Sequence, residues 1–181
     1  MEAGAPSAAT RASTYIDVAS STARVTMSGT SWAAFSTGQT ITIPGTVLTT
    51  DIAHTNGTAI TTSDYAIIIE AQMSISITTT ASSNPNREHA WLVLRNTTDE
   101  TYISPAYRTL DRGIIGDVSG TDRNGRQHML LKGHDSGRTA ETTYEIYAVT
   151  SSADTTVILN GDETADGVNT TTRIYASVFK R

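Results

Sequence analysis

The chain has 181 residues and a formal net charge of −5, with 38% hydrophobic and 17% charged residues. This length fits one domain of ordinary size, and the negative charge predicts that neither nucleic acid nor an anionic membrane is a partner. The absence of cysteine excludes disulfides and thiolate metal sites.

The N-terminal segment is the first element. MEAGAPSAATRAS has no basic start and no apolar run of the length that a signal peptide or membrane span requires. It predicts a polar arm, residues 1–14, followed by one domain, residues 15–181. Because such arms are normally disordered unless something holds them, we expect this one to tether the domain to a neighbouring protein.

The remainder of the chain has the composition of β-strands. It is rich in hydroxyl residues, with 33 threonines and 18 serines in the whole sequence, and β-branched threonine suits a pleated surface with one solvated face. No window keeps helical apolar spacing for more than about two turns. Alternation of apolar and polar residues predicts strands at residues 31–35, 39–43, 65–80, 89–95, 126–132, 141–150, 155–160 and 171–179.

The clearest strand signal runs from Tyr65 to Thr80. Apolar residues occupy every second position from Tyr65 to Ile77, and polar residues such as Glu70 and Gln72 lie between them. At about 3.3 Å per residue this strand is roughly 50 Å long, so it must cross a whole sandwich. Eight or more strands in one domain predict an all-β, antiparallel β-sandwich of the jelly-roll kind.

Turn-forming residues separate the predicted strands. Asn56-Gly57, Asn124-Gly125, residues 133–137 and Asn160-Gly161-Asp162 supply positions that accept positive φ, where strands reverse. In this interpretation Gly133 ends the strand that precedes it.

The order of these features resembles the tumour-necrosis-factor and complement-globular-head superfamily of trimeric jelly rolls. The matching stretches are SDYAIIIEAQMSI (63–75), HAWLVLRNTTDE (89–100), VILNGDETA (157–165) and TTRIYASVFKR (171–181). The resemblance covers roughly residues 30–181 and implies a TNF-like jelly roll that forms a homotrimer through its long strands.

Domains of this type occur in fibres and capsid-decorating proteins of bacterial viruses. The resemblance therefore implies a virion structural protein, either a capsid decoration (cement) protein or a fibre subunit. Its partners would be copies of itself and the major capsid protein or other virion proteins. It implies no catalytic residues and no cofactor. The alternative is a receptor- or carbohydrate-binding module of a viral tail or head fibre, with the loops 81–88 and 111–125 as its tip.

Basic residues concentrate in one part of the chain, since residues 84–138 hold 8 of the 13 lysines and arginines. One interpretation is that this part supplies more exposed loops. The other is that its arginines make subunit or partner contacts, because arginine is enriched at interfaces. The predicted contact residues are Tyr15, Arg108, Arg112, Arg123 and Arg126.

The larger aromatic residues divide by their surroundings. Trp32 and Trp91 lie in apolar strands, which predicts core anchors rather than platforms for sugar stacking. Tyr102 and Tyr107 lie in more polar stretches and, with Tyr15, are candidates for a contact surface.

Two patterns are candidates for catalysis. Asp135 lies in His-Asp-Ser-Gly, which contains the triplet of aspartic proteases, but the apolar residues that should precede it are absent and a solvated turn is the simpler interpretation. Glu141 and Glu145 lie on one strand face about 13 Å apart, outside the separation for glycoside hydrolysis. The sequence therefore predicts that the protein is not an enzyme.

Metal-ligating patterns are equally weak. His128 and His134 would share a face only if one strand ran through both, and Gly133 is predicted to interrupt it. The aspartates of the loop 111–125 could donate oxygens to calcium but lack the spacing of a defined calcium loop. We therefore predict no metal.

Overall fold

A computed structural model of the chain describes residues 13–35, 39–49, 65–79, 88–109, 127–160 and 170–180. Within these residues the protein is built from strands and one short helix. In chain order the elements are β1 (Ser13–Ser21), β2 (Val25–Ser28), β3 (Ala33–Ala34), β4 (Thr40–Ile43), α1 (Gly45–Thr49), β5 (Tyr65–Thr79), β6 (Ala90–Asn96), β7 (Thr101–Tyr102), β8 (Tyr107–Arg108), β9 (Gln127–Asp135), β10 (Thr142–Thr150), β11 (Thr155–Leu159) and β12 (Thr172–Lys180).

Six of these strands form sheet A, in which every pairing is antiparallel and the long strand β5 is central. β12 pairs with residues 65–72 of β5 and β11 with residues 75–79, so these two strands lie end to end along one edge of β5. β9 pairs with residues 67–75 on the opposite edge. On the side away from β5, β12 pairs with β1 and β11 pairs with β2. The sheet is therefore four strands wide.

The other six strands form sheet B, which is also antiparallel and four strands wide. β10 and β6 pair at its centre. β4 and β3 lie end to end along the free side of β10, and β7 and β8 lie in the same way along β6. The chain crosses repeatedly between the two sheets, so neighbouring strands come from distant parts of the sequence.

The two sheets enclose one core because each contributes the apolar side of its alternating strands. In β5 the inward positions are all buried, from Ile67 through Ile75, and in β10 Tyr144 and Ile146 are buried to the same degree. These side chains belong to a single hydrophobic cluster that draws on both sheets. This arrangement confirms the predicted all-β, antiparallel sandwich.

The strand that was predicted to stop before Gly133 in fact continues through it to Asp135. The prediction was wrong because Gly133 serves close packing rather than a turn. A Cβ at this position would lie 2.7 Å from Cδ1 of Ile103 and 3.1 Å from its carbonyl oxygen. That same oxygen accepts a hydrogen bond of 2.9 Å from the amide of His134. The missing side chain thus lets the chain between β7 and β8 lie against β9.

Asn160 directly follows β11, at the gap between β11 and β12 along the edge of β5. Its backbone is left-handed, with φ of 59°, as the predicted turn requires, and the residue is completely buried. The amide nitrogen of the side chain donates to the carbonyl oxygens of Ser21 (2.9 Å) and Ala23 (3.0 Å), between β1 and β2. Its oxygen accepts from the hydroxyl of Thr172 (2.7 Å), and its backbone amide donates to the carbonyl oxygen of Ser74 (3.2 Å). One residue therefore joins four strands.

Candidate contact surfaces

The outer face of sheet A carries aliphatic side chains, which we call the aliphatic face: Ile16, Val18 and Leu130, which are exposed, and Ile68, which is partly buried. Ile16 is 70% exposed, Val18 51% and Leu130 53%. The strand register places Ile16 and Ile68 in one row across the sheet, on either side of Ser177. Leu130 lies in a separate row with Gln72 and Arg173, and the ion pair of Glu70 with Lys132 lies in the row between Ile68 and Leu130. Ile16 and Val18 are thus the neighbouring exposed pair, and exposed apolar side chains that lie together are characteristic of contact sites.

The outer face of sheet B carries an ordered group of aromatic rings around one arginine, which we call the aromatic face: Trp32, Tyr102, Tyr147 and Arg95. The guanidinium carbon of Arg95 lies 4.8 Å from the ring centre of Tyr147 and 5.6 Å from that of Tyr102. The rings of Tyr102 and Trp32 are 5.8 Å apart. Cation–π contacts and ring packing hold these side chains in place, so this surface is preorganised.

Trp32 and Trp91 do not anchor the core, so that prediction was wrong. Trp32 is 37% exposed. Trp91 is half-buried and lies on the outer side of sheet B, where its ring meets that of His89 edge-on at 4.3 Å. Their apolar neighbours in the sequence belong to strands whose opposite side faces the core. Tyr102 is 51% exposed as expected for a contact residue, whereas Tyr107 packs partly buried against the core.

Arg108 is the predicted contact residue that the structure describes most fully. It is exposed on β8, directly opposite Trp91 of β6, and its guanidinium lies 3.2 Å from Nδ1 of His89. It therefore extends the aromatic face. Tyr15 lies in β1, but its side chain is outside the described part of the structure, as are all atoms of Arg112, Arg123 and Arg126.

Glu141 and Glu145 lie in different surroundings. Glu141 is exposed just before β10, and Glu145 is partly buried on the aromatic face, where it pairs across the strands with Arg95. Burial raises the pKa of Glu145, and the positive charge of Arg95 opposes this effect. Glu145 therefore belongs to the aromatic face, where its partly buried carboxyl lies beside Arg95.

Asp135 forms the centre of a partly buried polar network, so the predicted solvated turn was wrong. Its side chain is only 6% exposed. It accepts hydrogen bonds from Nε of Arg138 (2.8 Å), from the amide of Asn96 (2.9 Å) and from the hydroxyl of Tyr144 (3.0 Å). Arg138 also pairs with Asp99. Burial raises the pKa of the Tyr144 phenol further above its usual value, and the carboxylate of Asp135 adds to this effect.

A second carboxylate, Glu88, fixes the opposite end of the sandwich. Its Oε2 accepts hydrogen bonds from the hydroxyls of Thr155 (2.5 Å), Ser151 (2.6 Å) and Ser152 (3.0 Å). These bonds, with that of Ser151 contributing most, hold the pKa of Glu88 below its usual value, although burial opposes them. Glu88 therefore ties the start of β6 to the turn between β10 and β11.

The lowered pKa makes the stability contribution of Glu88 dependent on pH. A carboxyl whose pKa is lower in the folded state stabilises the fold above its unfolded pKa, and the contribution is lost as the pH falls through the folded pKa. We expect Glu88→Gln to lower the free energy of unfolding by about 1–2 kcal/mol at neutral pH. Urea denaturation at a series of pH values should show the gap to the wild type closing below the usual carboxyl range. A gap that stays constant down to acidic pH would contradict this explanation.

The described residues contain no group of three or more histidine, aspartate or glutamate side chains that could hold a metal ion. β9 runs through both His128 and His134 on the outer side of sheet A. Six residues of extended strand nevertheless separate them by about 20 Å, too far for one ion. The aspartates of the loop 111–125 and the loop 81–88, apart from Glu88, lie outside the described residues. In the described ranges no helix has the length and apolar character needed to cross a membrane.

Comparison with known proteins gives distant structural likenesses only. No family model matches the sequence, and no curated protein matches it. Among solved structures, dimeric latent PorU from Porphyromonas gingivalis aligns with 10% identity and a TM-score of 0.34, over 95% of this chain and 14% of that chain. A mutant VP2 of infectious bursal disease virus in T=1 particles aligns with 11% identity and a TM-score of 0.30, over 93% and 40%. A VP2 subviral particle aligns with 15% identity and a TM-score of 0.24, over 93% and 42%. The chain thus spans less than half the length of each of these proteins.

Proposed function

We propose that the chain is a non-enzymatic structural protein that assembles through the outer faces of its sandwich. The observation that carries this proposal is the exposure of Ile16, Val18 and Leu130 on the aliphatic face. An outer strand with one solvated face normally alternates the other way, with its apolar residues toward the core. In β1 the two aliphatic side chains point away from the core, so their burial requires a second molecule.

The proposed assembly is a homotrimer of jelly rolls on a virus particle, as a decoration protein or fibre subunit. Two lines of support exist. The chain alternates between the sheets so that sequence-distant strands become neighbours, as two Greek keys require. The stretches at 63–75, 89–100, 157–165 and 171–181 resemble trimeric jelly rolls that occur in such virion proteins. Assembly through β1, β12 and β5 uses the long strands that the resemblance implies.

The aromatic face is the proposed contact with another virion protein. Tryptophan, tyrosine and arginine are the residues that contribute most to protein interfaces, and here Trp32, Tyr102 and Arg95 are already held in mutual contact. Arg108 lies at the border of the same surface. Because the two faces point in opposite directions, one can serve self-assembly while the other remains available to a partner.

The double substitution Ile16→Glu with Val18→Glu tests self-assembly. The wild type should have a mass near three times 19.2 kDa by light scattering, and the double variant should have the mass of one chain, since its added charges cannot be buried in the trimer without pairing. Ala106→Glu is the control because it adds the same charge at an exposed position between β7 and β8, away from sheet A; it should leave the trimer intact. A monomeric wild type at micromolar concentration would rule out the trimer.

A second experiment addresses the location on a particle. Trp32→Ala with Tyr102→Ala should weaken co-sedimentation with virus particles at least tenfold while the mass of the free protein stays unchanged. The particles should come from the virus whose proteins co-purify with the native chain. Unaltered binding by this variant would remove the aromatic face from the proposal, and a native assembly without virion proteins would refute the virion role.

A further inference from the structure

A pocket opens on the outer face of sheet A where the line of β11 and β12 is interrupted. Its volume is about 370 Å³. Outward-facing residues of β5 form its floor, β9 forms one wall, and the residues just before β12 form the other. The lining residues are Gln72, Met73, Ser74, His128, Met129, Leu130, Thr170 and Thr171. We call it the junction pocket.

Two hydroxyls in this pocket lack a partner. Ser74 is 3% exposed, and its Oγ is buried without a hydrogen-bond partner among the described residues. The Oγ1 atom of Thr170, in the wall just before β12, is also buried without a hydrogen-bond partner among the described residues. Ser76, the next residue along the same side of β5, is completely buried but does have a partner. Since a buried hydroxyl without a partner is costly, the arrangement is that of a site that receives hydrogen bonds from a ligand.

The composition of the lining defines the chemistry of that ligand. It offers hydroxyls, one amide and one imidazole beside the apolar residues Met73 and Met129, and it contains no carboxylate, ammonium or guanidinium group among the described residues. A ligand with a formal charge would find no opposite charge there. Leu130 adds an apolar side chain at the edge. A neutral molecule with several hydroxyls and one C–H face fits these groups, which is the chemistry of a sugar ring.

The size and position of the pocket agree with a single ring. Its volume lies at the lower end of the roughly 300–1,000 Å³ of small-molecule sites. The left-handed Asn160 holds the neighbouring strands, and its amide bonds to the carbonyl oxygen of Ser74, so the floor is fixed before a ligand arrives. Ile16 and Val18 lie on the far strand of the sheet, and only Leu130 belongs to both the pocket and the aliphatic face.

We propose that the junction pocket binds a neutral hexopyranose unit, with Ser74 and Thr170 as hydrogen-bonding partners of its hydroxyls. The pocket lies on the outer face of sheet A, which the proposed assembly also uses, and it shares Leu130 with the aliphatic face. The sugar could be free or the end of a glycan chain, and both present the same hydroxyls to the pocket.

The test is a titration of the full chain with methyl glycosides of glucose, galactose, mannose and N-acetylglucosamine, followed by saturation-transfer NMR and calorimetry. One epimer should bind saturably at millimolar concentration, and glucuronic acid should not bind. An oligosaccharide that ends in the same sugar should bind equally well if a glycan terminus is the source, and at least tenfold more weakly if only the free sugar fits. Absence of saturable binding for every glycoside would overturn the proposal.

Two matched serine variants make the test specific. Ser74→Ala should weaken sugar binding at least tenfold and should raise the Tm of the free protein, because it removes an unpartnered buried hydroxyl. Ser76→Ala should leave sugar binding unchanged and should lower the Tm. Equal loss of binding in both variants, or a lower Tm for Ser74→Ala, would contradict the assignment. Light scattering on each variant separates a failure of the pocket from a failure of assembly.

Discussion

Replacing Asp135 with alanine is expected to lower the free energy of unfolding by about 3–5 kcal/mol. The carboxylate is the shared acceptor for Arg138, Asn96 and Tyr144, and its side chain is 6% exposed. Without this carboxylate, Arg138 keeps its ion pair with Asp99 at the same end of the sandwich. Since whole domains of this size are stable by about 5–15 kcal/mol, the variant should be close to unfolding at physiological temperature. Urea denaturation followed by tryptophan fluorescence measures the change.

Two further variants separate charge from shape at this network. Asp135→Asn keeps one acceptor oxygen and should cost about half as much, and Tyr144→Phe should cost about 1 kcal/mol, the value of one hydrogen bond. Glu141→Ala is the control, because that carboxylate is exposed and near in sequence, and it should stay within about 0.5 kcal/mol of the wild type. If Asp135→Ala lowered the free energy of unfolding no more than Glu141→Ala does, the network around Asp135 would contribute nothing measurable to stability.

Replacing Asn160 with alanine should cost about 2–4 kcal/mol. The change removes the partner of the buried hydroxyl of Thr172 and of the partly buried carbonyl oxygens of Ser21 and Ala23. Alanine must also adopt the left-handed backbone that Asn160 has at φ of 59°, which adds about 1 kcal/mol. The measurement is again equilibrium denaturation, with light scattering to show that the oligomeric state is unchanged.

Glycine variants distinguish the two contributions. Asn160→Gly accepts the left-handed backbone but lacks the hydrogen bonds, so it should recover only about 1 kcal/mol of the loss. Glu100 is the matched position, since it has φ of 58° and an exposed side chain, and Glu100→Gly should be neutral or stabilising. A full recovery in Asn160→Gly would mean that the left-handed backbone, rather than the junction of four strands, accounts for the stabilising effect of Asn160.

The sequence predicts those strands well whose apolar side faces the core. The predicted strand at 65–80 is found as β5 at Tyr65–Thr79, and the predicted strand at 171–179 is found as β12 at Thr172–Lys180. Alternation does not reveal β1, because apolar residues stand next to each other at Tyr15-Ile16 and at Val18-Ala19, whereas a strand signal requires strict alternation over several residues. The outward direction of Ile16 and Val18 could not be predicted either, since alternation does not state which side faces the core.

The contact surfaces and networks could not be predicted for a different reason. Alternation does not state which side of a strand faces the core when both sides carry bulky residues, as around Trp32 and Trp91. The partners of Asp135 include Asn96, 39 residues away, and are assembled by sheet topology. Interface composition alone points to Arg108, and its place beside His89 depends on the register of β8 on β6.

The position of β12 has a consequence for the order of folding. β12 lies between β1 and β5, so that Phe179 pairs with both Ser13 and Ala66. During synthesis β1 therefore emerges long before its partner exists, and the long edge of β5 stays unpaired until β11 and β12 have been made. Sequence-distant pairing of this kind is slow, and an open strand edge can accept the corresponding strand of another copy. At high expression levels, strand-exchanged dimers are thus the expected misassembled product.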